Sequence, residues 1–105
     1  MAQRTPQERR LLDMAAQYLP GGTNGNQSFN EDLNFLVREG RASHVWDVSG
    51  NEYVDWMMGS GPMILGHAHP AVTEAVIKAV EQGSTFFSTS EKSVLLAEEL
   101  VNAIP

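Results

Sequence analysis

The residues of this chain that could do chemistry include two histidines, His67 and His69, which flank a single alanine. Such a pair could suggest a metal site, but histidines two positions apart share a face only on a strand. Pro70 follows at once and favours the first turn of a helix instead. A zinc site also needs three or four ligands, and no carboxylate stands nearby at motif spacing. The pattern therefore predicts a turn that enters a helix, with histidines hydrogen-bonded to the backbone, and no metal site.

A second candidate is the glycine-rich run Gly59-Ser60-Gly61-Pro62. It lacks the lysine and the hydroxyl residue that end a phosphate-binding loop, and it lacks the Gly-x-Ser-x-Gly order of a nucleophile elbow. Glycines do let a backbone come close to a ligand or to another segment. The run therefore predicts a close approach by the backbone, without phosphate binding and without a nucleophile.

Four ionisable side chains complete the candidates. Asp47 and Asp55 flank a turn and could pair as a general acid and base, but we expect them in solvent, as is usual for carboxylates beside a hairpin turn. The only lysines, Lys78 and Lys92, are expected on helix surfaces, without the apolar pocket that Schiff-base chemistry uses.

The chain has no cysteine, which excludes a disulfide framework, a thiolate zinc site and a cysteine nucleophile. Residue types and spacing thus predict no complete catalytic set.

Length and charge bound the function further. A chain of 105 residues fits one small domain, and 42% hydrophobic with 19% charged residues is ordinary for a globular protein. The net charge is −6, from 7 basic and 13 acidic residues, which argues against nucleic acid and anionic membranes as partners. The N-terminus has no apolar signal segment, and glycine and proline interrupt residues 56–72, so no transmembrane helix is predicted. We expect a soluble, cytoplasmic protein.

Three segments have helical spacing of apolar residues together with helix-boundary signals. Thr5 with Glu8, and Ser88 with Glu91, form capping-box patterns for the first and third of them. The predicted helices run from Pro6 to a stop at Pro20-Gly21-Gly22, from Pro70 to a C-cap at Gly83, and from about Ser90 onward.

Short strands are predicted between the first two helices, at residues 35–37, 44–47 and 52–57, where β-branched and aromatic residues concentrate. The turn-prone residues 38–41 and 48–51 separate them, which indicates a hairpin or a meander. The fold class is therefore α+β, with an N-terminal helix, a small antiparallel sheet and two further helices.

One long stretch is much more specific than these signals. It reads VWDVSGNEYVD at 45–55 and GSGPMILGHAHP at 59–70, with YLPGGTN at 18–24 and LAEEL at 96–100 around it. These ordered blocks resemble the N-terminal region of class III pyridoxal-phosphate-dependent aminotransferases. Within that family they are most similar to the glutamate-1-semialdehyde 2,1-aminomutase group, and the resemblance covers the chain from about Leu11 to Pro105.

The resemblance implies a fold-type I enzyme, a homodimer that uses pyridoxal 5′-phosphate to transfer an amino group from an amino acid or amine. Residues 1–105 would be its N-terminal portion, comprising part of the small domain and the lead-in to the large domain. The family's phosphate loop, its aspartate under the pyridine nitrogen and its Schiff-base lysine lie beyond the position that Pro105 matches. The resemblance therefore implies no catalytic and no cofactor-binding residue here, and no cofactor on this chain alone. It implies a fragment whose partners are the remainder of the enzyme and a second subunit.

Two loops are the sites that the resemblance implies. Gly59, Ser60 and Gly61 match a stretch that lines the family's substrate pocket, while Thr85, Phe86 and Phe87 match a loop at the dimer interface and active-site entrance. The aminomutases often have tryptophan at the position of Ser60, and an arginine in the loop that reads TNGNQSF at 23–29 here. Their absence leaves aminomutase and aminotransferase activities both open. The alternative is a non-catalytic interaction module that pairs with a full-length relative.

Overall fold

The computed structural model describes residues 3–24, 30 and 33–104. They fall into two compact units, residues 1–69 and 70–105, called the sheet unit and the helical unit below. The sheet unit contains α1 at Pro6–Tyr18, a 3-10 turn at Pro20–Gly22, β1 at Val37–Arg41, β2 at His44–Asp47 and β3 at Glu52–Val54. The helical unit contains α2 at Pro70–Glu81 and α3 at Glu91–Ala103. The predicted α+β architecture is confirmed.

Helix α1 begins where the capping signal places it, but its cap includes a residue from the turn between β2 and β3. The Thr5 hydroxyl accepts from the Glu8 amide at 3.4 Å, as in a capping box. In a capping box the Glu8 carboxylate would also accept directly from the Thr5 amide. Here the Ser49 hydroxyl stands between them, accepting from the Thr5 amide at 2.8 Å and donating to the Glu8 carboxylate. The other Glu8 oxygen accepts from the Leu36 amide at 3.1 Å. Glu8 is fully buried, so one carboxylate joins the helix to the β2–β3 turn and to the segment before β1.

The sheet is antiparallel in the order β1-β2-β3. Arg41 pairs with His44 across the first hairpin, and Trp46 pairs with Glu52 across the second. The meander is therefore confirmed, but the boundaries of β1 differ from prediction. Residues 38–41, predicted as a turn, belong to β1, and the chain reverses after them, at Ala42, where φ is 50°. Gly40 pairs with Val45 in the ladder, and its missing side chain leaves room for the His67 ring described below.

The carboxylate of Asp47 lies inside the sheet unit, so the expectation that it would be solvated is wrong. It is 1% exposed and accepts from the Asn51 amide at 2.8 Å, the Asn51 side chain at 2.8 Å and the Tyr53 hydroxyl at 2.9 Å. Burial by itself would raise the pKa of Asp47, but the hydrogen bonds from Asn51 and Tyr53 outweigh it and lower the pKa below its ordinary value. The Tyr53 ring also stacks on Phe35 at a centroid distance of 4.4 Å.

The helical unit is held by local contacts. Ser90, rather than Ser88, caps α3 by accepting from the Ser93 amide at 3.3 Å, so the second capping-box prediction is wrong by two residues. Helix α2 ends at Glu81, and Gly83 follows with a φ of 101°, which confirms the predicted stop. Within the described residues, neither helix buries a side chain, and no helix is long and apolar enough to cross a membrane.

Candidate functional site

The glycine-rich run forms a left-handed turn. Met58, Gly59, Ser60 and Gly61 have consecutive φ angles of 46°, 64°, 68° and 105°. Glycine adopts this region freely, but an L-residue there costs about 1–2 kcal/mol. Met58 and Ser60 are therefore strained, and such strain persists only where the surrounding structure holds it.

Backbone hydrogen bonds within the turn account for part of that support. The Met57 carbonyl accepts from the Ser60 amide at 2.8 Å and from the Gly61 amide at 3.1 Å. The Met58 carbonyl accepts from the Met63 amide at 3.1 Å. The turn is thus closed by hydrogen bonds, which fix the direction in which the Ser60 side chain points.

Asp55 anchors the start of this turn. Its Oδ1 accepts from the Met57 amide at 2.9 Å and from the Met58 amide at 3.0 Å. Its Oδ2 lies 2.6 Å from His67 Nε2, and the two side chains are only 14% and 22% exposed. Asp55 is therefore not solvated as expected. The β3 strand also stops at Val54, short of the predicted residue 57, because Asp55 draws the amides of Met57 and Met58 into the turn.

The charge of Asp55 determines the direction of its hydrogen bond with His67. The contact with His67 is the largest cause that lowers the pKa of Asp55 below its ordinary value, followed by the bond from the Met58 amide. Asp55 is ionised at neutral pH and can only accept. His67 Nε2 therefore carries the proton and donates it to Oδ2.

His67 is itself fixed by the turn between β1 and β2. Its amide donates to the Ala42 carbonyl at 2.8 Å, and its carbonyl accepts from the Ala42 amide at 2.9 Å. Two glycines permit this closeness, since a Cβ on Gly66 would lie 2.8 Å from the Ala42 oxygen, and one on Gly40 would lie 2.7 Å from His67 Cγ. Residues 55–67 thus form a loop whose two ends are tied together and to the sheet.

The expected backbone hydrogen bonds of the histidine side chains are not what the structure shows. The His67 ring bonds to a carboxylate. Nδ1 of His69 is buried with no hydrogen-bond partner among the described residues. The same part of the chain holds no cluster of three or more potential metal ligands.

The structure places the predicted site residues in different units. Gly59, Ser60 and Gly61 are exposed on the left-handed turn of the sheet unit. They are not among the residues that line a groove of about 440 Å³ in the same unit, which are Glu39, Gly40, Arg41, Trp46 and Ala68. Residues 25–29, which include most of the loop without arginine, lie outside the described residues.

The second predicted loop belongs to the helical unit. Thr85, Phe86 and Phe87 are all exposed. The Phe86 ring lies against Gly83, where a Cβ would be 2.9 Å from it. Phe87 is completely exposed, which makes it the side chain of this loop most available to another surface.

Both lysines lie on helix surfaces, as predicted. Lys78 pairs with Glu74 at 2.7 Å, one helical turn away, and both side chains are well exposed. The Lys92 ammonium lies 3.2 Å from the Gln82 side-chain oxygen, also at the surface. Neither lysine has the apolar surroundings that a Schiff-base lysine requires.

Sequence reasoning missed the Asp55–His67 pair. Twelve residues separate the two side chains, and no spacing rule connects them. The one local signal is an aspartate just before a glycine-rich run, since Asp side chains commonly accept from amides two or three residues ahead in turns.

Comparisons with known proteins give the chain its family. The model of the family "Aminotransferase class-III" matches residues 27–105. The glutamate-1-semialdehyde 2,1-aminomutase of Syntrophomonas wolfei is 40% identical over 105 residues, which cover 97% of this chain and 24% of that protein.

Solved structures agree with the sequence match. An omega-transaminase from Sphaerobacter thermophilus superposes with a TM-score of 0.82 at 29% identity, over 90% of this chain and 22% of that one. A transaminase with PLP bound gives a TM-score of 0.81 at 33% identity, over 92% and 23% of the two chains. The chain therefore spans less than a quarter of the length of these relatives. The sequence blocks, the sheet-and-helix architecture and the family match agree, and the chain belongs to the class III aminotransferases.

Proposed function

We propose that this chain is the N-terminal portion of a longer enzyme that transfers amino groups with pyridoxal 5′-phosphate. Residues 1–105 would supply part of the small domain and the lead-in to the large domain. The observation that carries the proposal is the family match over residues 27–105, together with the short share of each relative that the chain covers. The remainder of the enzyme would supply the catalytic machinery.

The described residues do not fit a binding site for the cofactor. A lysine that holds the cofactor's aldehyde lies in a desolvated pocket, whereas Lys78 and Lys92 are exposed and bonded to Glu74 and Gln82. The cofactor would therefore be held by residues outside this chain. The contribution of the chain would be to substrate binding and to assembly.

The left-handed turn is the substrate-facing element in this proposal. Gly59, Ser60 and Gly61 are exposed on a loop with fixed ends, and binding residues commonly lie on such loops. The structural alternative is that the two glycines merely permit a tight turn. The strain at Ser60 favours a role in binding, because strained non-glycine residues concentrate at ligand sites. Ser60 would shape the choice of amino donor, an amino acid or amine, and would take no part in the chemistry.

The loop of Thr85, Phe86 and Phe87 would contact a second subunit near the entrance to the active site. Its support is the complete exposure of Phe87, because aromatic side chains are enriched at protein interfaces. A homodimer is the assembly proposed. A cytoplasmic location is part of the same proposal.

A chimaera tests this function. The matching quarter of the Syntrophomonas wolfei aminomutase would be replaced by this chain, and cofactor absorbance, oligomeric state and amino transfer would be measured. The proposal expects a dimeric chimaera that binds cofactor and transfers amino groups. A dimeric, cofactor-loaded chimaera without transfer to any acceptor would contradict it.

The role of Ser60 is tested in the same chimaera. Ser60→Trp should lower kcat/KM for bulky amino donors about tenfold more than for small ones, because an indole removes room from a pocket wall. Ser60→Ala is the matched control, since it carries the same positive φ without the bulk. An equal loss for all donors, or no loss, would show that Ser60 does not line the pocket.

The second candidate function is a non-catalytic module that pairs with a full-length relative. The apolar residues of α2 and α3 that remain exposed favour it, because faces of this kind are covered by partners. Co-purification separates the two functions. If the chain is a non-catalytic module, it should form a stable complex with the intact aminomutase. If it is the N-terminal portion of an enzyme, it should form a complex only with an aminomutase that lacks its own N-terminal quarter.

A further inference from the structure

The left-handed turn at Met58–Gly61 depends on a side chain outside it. Its internal hydrogen bonds close the turn, but two strained residues remain within it. The amides of Met57 and Met58, at the point where the chain enters the turn, are held by Oδ1 of Asp55. This one carboxylate therefore binds both amides at the entry to the turn.

The two oxygens of Asp55 have separate partners. While Oδ1 accepts from the two amides, Oδ2 accepts from His67 Nε2 at 2.6 Å. A carboxylate with one occupied oxygen can rotate about its side-chain bonds, and the contact with the imidazole removes that freedom. The imidazole in turn cannot move away, because the His67 backbone is bridged to Ala42 and its ring lies against Gly40.

We propose that Asp55 and His67 are positioning residues for substrate choice. The imidazole orients the carboxylate, the carboxylate holds the Met58–Gly61 turn, and the turn presents Ser60 to the amino donor. The last step rests on the proposed function, whereas the first two rest on the hydrogen bonds alone. Neither residue is proposed to touch the substrate.

Amide hydrogen exchange in the 105-residue chain tests the first two steps. His67→Ala should speed exchange at the amides of Ser60, Gly61 and Met63 about tenfold, the effect of losing one hydrogen bond to a charged group. The amides of the β2–β3 ladder should change much less. His44→Ala is the matched control, because His44 is a half-exposed histidine of the same unit whose ring lies near Glu52 and Ser43 instead of the Asp55 carboxylate.

Two further variants distinguish positioning from general support of the fold. His67→Gln can still donate to the carboxylate and should restore most of the protection that His67→Ala removes. Asp55→Asn keeps an oxygen for the Met57 and Met58 amides but loses the charge that His67 binds, so it should give an intermediate increase. If His67→Ala unfolds the sheet unit, amide exchange in His67→Gln and Asp55→Asn tests the proposal instead. Unchanged turn amides in Asp55→Asn, or equal acceleration of turn and ladder amides without rescue by glutamine, would overturn the proposal.

The third step, in which the turn presents Ser60 to the amino donor, is tested in the chimaera. Its failure is distinguishable from the failure of the proposed function. His67→Ala should change the ratio of kcat/KM between bulky and small donors, and His67→Gln should return it. If Ser60→Trp changes the donor ratio but His67→Ala does not, the positioning proposal fails and the proposed function stands. If neither does, although the turn amides respond to His67→Ala, the role of the turn in substrate binding is what fails.

Discussion

The two units of this chain are stabilised in different ways. In the sheet unit, the buried carboxylate of Glu8 makes hydrogen bonds to Leu36 and Ser49, which are 28 and 41 residues away in sequence. In the helical unit, the side-chain hydrogen bonds are local or join neighbouring helix ends, as in Lys78–Glu74 and Lys92–Gln82. Within the part of the chain that the structure describes, α2 and α3 have no close backbone contact with each other.

The difference teaches where each unit obtains its stability. A buried carboxylate with all its oxygens hydrogen-bonded specifies one arrangement of the segments around it, because losing a partner leaves an unsatisfied group in the interior. The helical unit has apolar faces without buried residues, so its helices depend on intrinsic propensity and on a surface that covers them. The sheet unit is the part expected to keep its own structure.

The largest expected effect comes from removing the carboxylate that joins α1 to the sheet. Glu8→Ala should destabilise the sheet unit by about 2–4 kcal/mol, because the Leu36 amide and the Ser49 hydroxyl lose their buried acceptor. Urea denaturation followed by tryptophan fluorescence measures it, since Trp46 and Trp56, the only tryptophans, both lie in this unit.

The matched control for that comparison is Glu74→Ala in the helical unit. Glu74 is exposed and pairs with Lys78 one turn away, so its loss should cost about 0.5 kcal/mol or less, and the fluorescence transition should not move. Equal shifts in the two variants would mean that the buried network does not set the stability of the sheet unit.

A smaller effect is expected on self-association through the helical unit. Val101 is 76% exposed on α3 among other exposed apolar residues, so the isolated chain should associate at micromolar concentration. Val101→Lys should weaken that association several-fold in sedimentation velocity, while Asn102→Lys, which adds the same charge at the next position, should change it less. A monomeric wild-type chain with a sharp, cooperative melt would contradict this prediction.

The last expected effect is confined to alkaline pH. Burial, with the hydrogen bond to the charged Asp47 as the second cause, raises the pKa of Tyr53 to about 12. Because the folded pKa lies above the unfolded value of about 10, the contribution of Tyr53 is fully present below pH 10 and is lost between about pH 10 and 12. The difference in phenolate absorbance between wild type and Tyr53→Phe should titrate near pH 12. Titration of Tyr53 near pH 10 in the folded chain would show that the hydroxyl is not held by Asp47.

Predictions from sequence succeeded at several local boundaries, although the cap of α3 proved to be Ser90 rather than Ser88. Thr5 caps α1 and Gly83 follows α2 as predicted, because a cap depends on the residue itself and on amides three positions away. They failed at Gly40, which reads as a turn residue but is required in β1 to make room for His67. They also failed for Asp47 and Asp55, whose burial depends on partners 4–12 residues away.

The candidate site divides in the same way. The resemblance pointed to residues 59–61, and the glycines in that run indicated an irregular backbone. The left-handed path through Met58 and Ser60 was not predicted, and neither was the pair of Asp55 with His67, because the two side chains are 12 residues apart.

The sequence by itself determined the family, the helices and the presence of a short antiparallel sheet. The reason is that periodicity, caps and motif blocks act over a few neighbouring residues. Only the tertiary structure decided that Ser49 completes the cap of α1, that Gly40 belongs to a strand, and that His67 holds Asp55. Each of these depends on two segments meeting in space, and a side chain's hydrogen-bond partner across 12 or 41 residues is set by packing rather than by local preference.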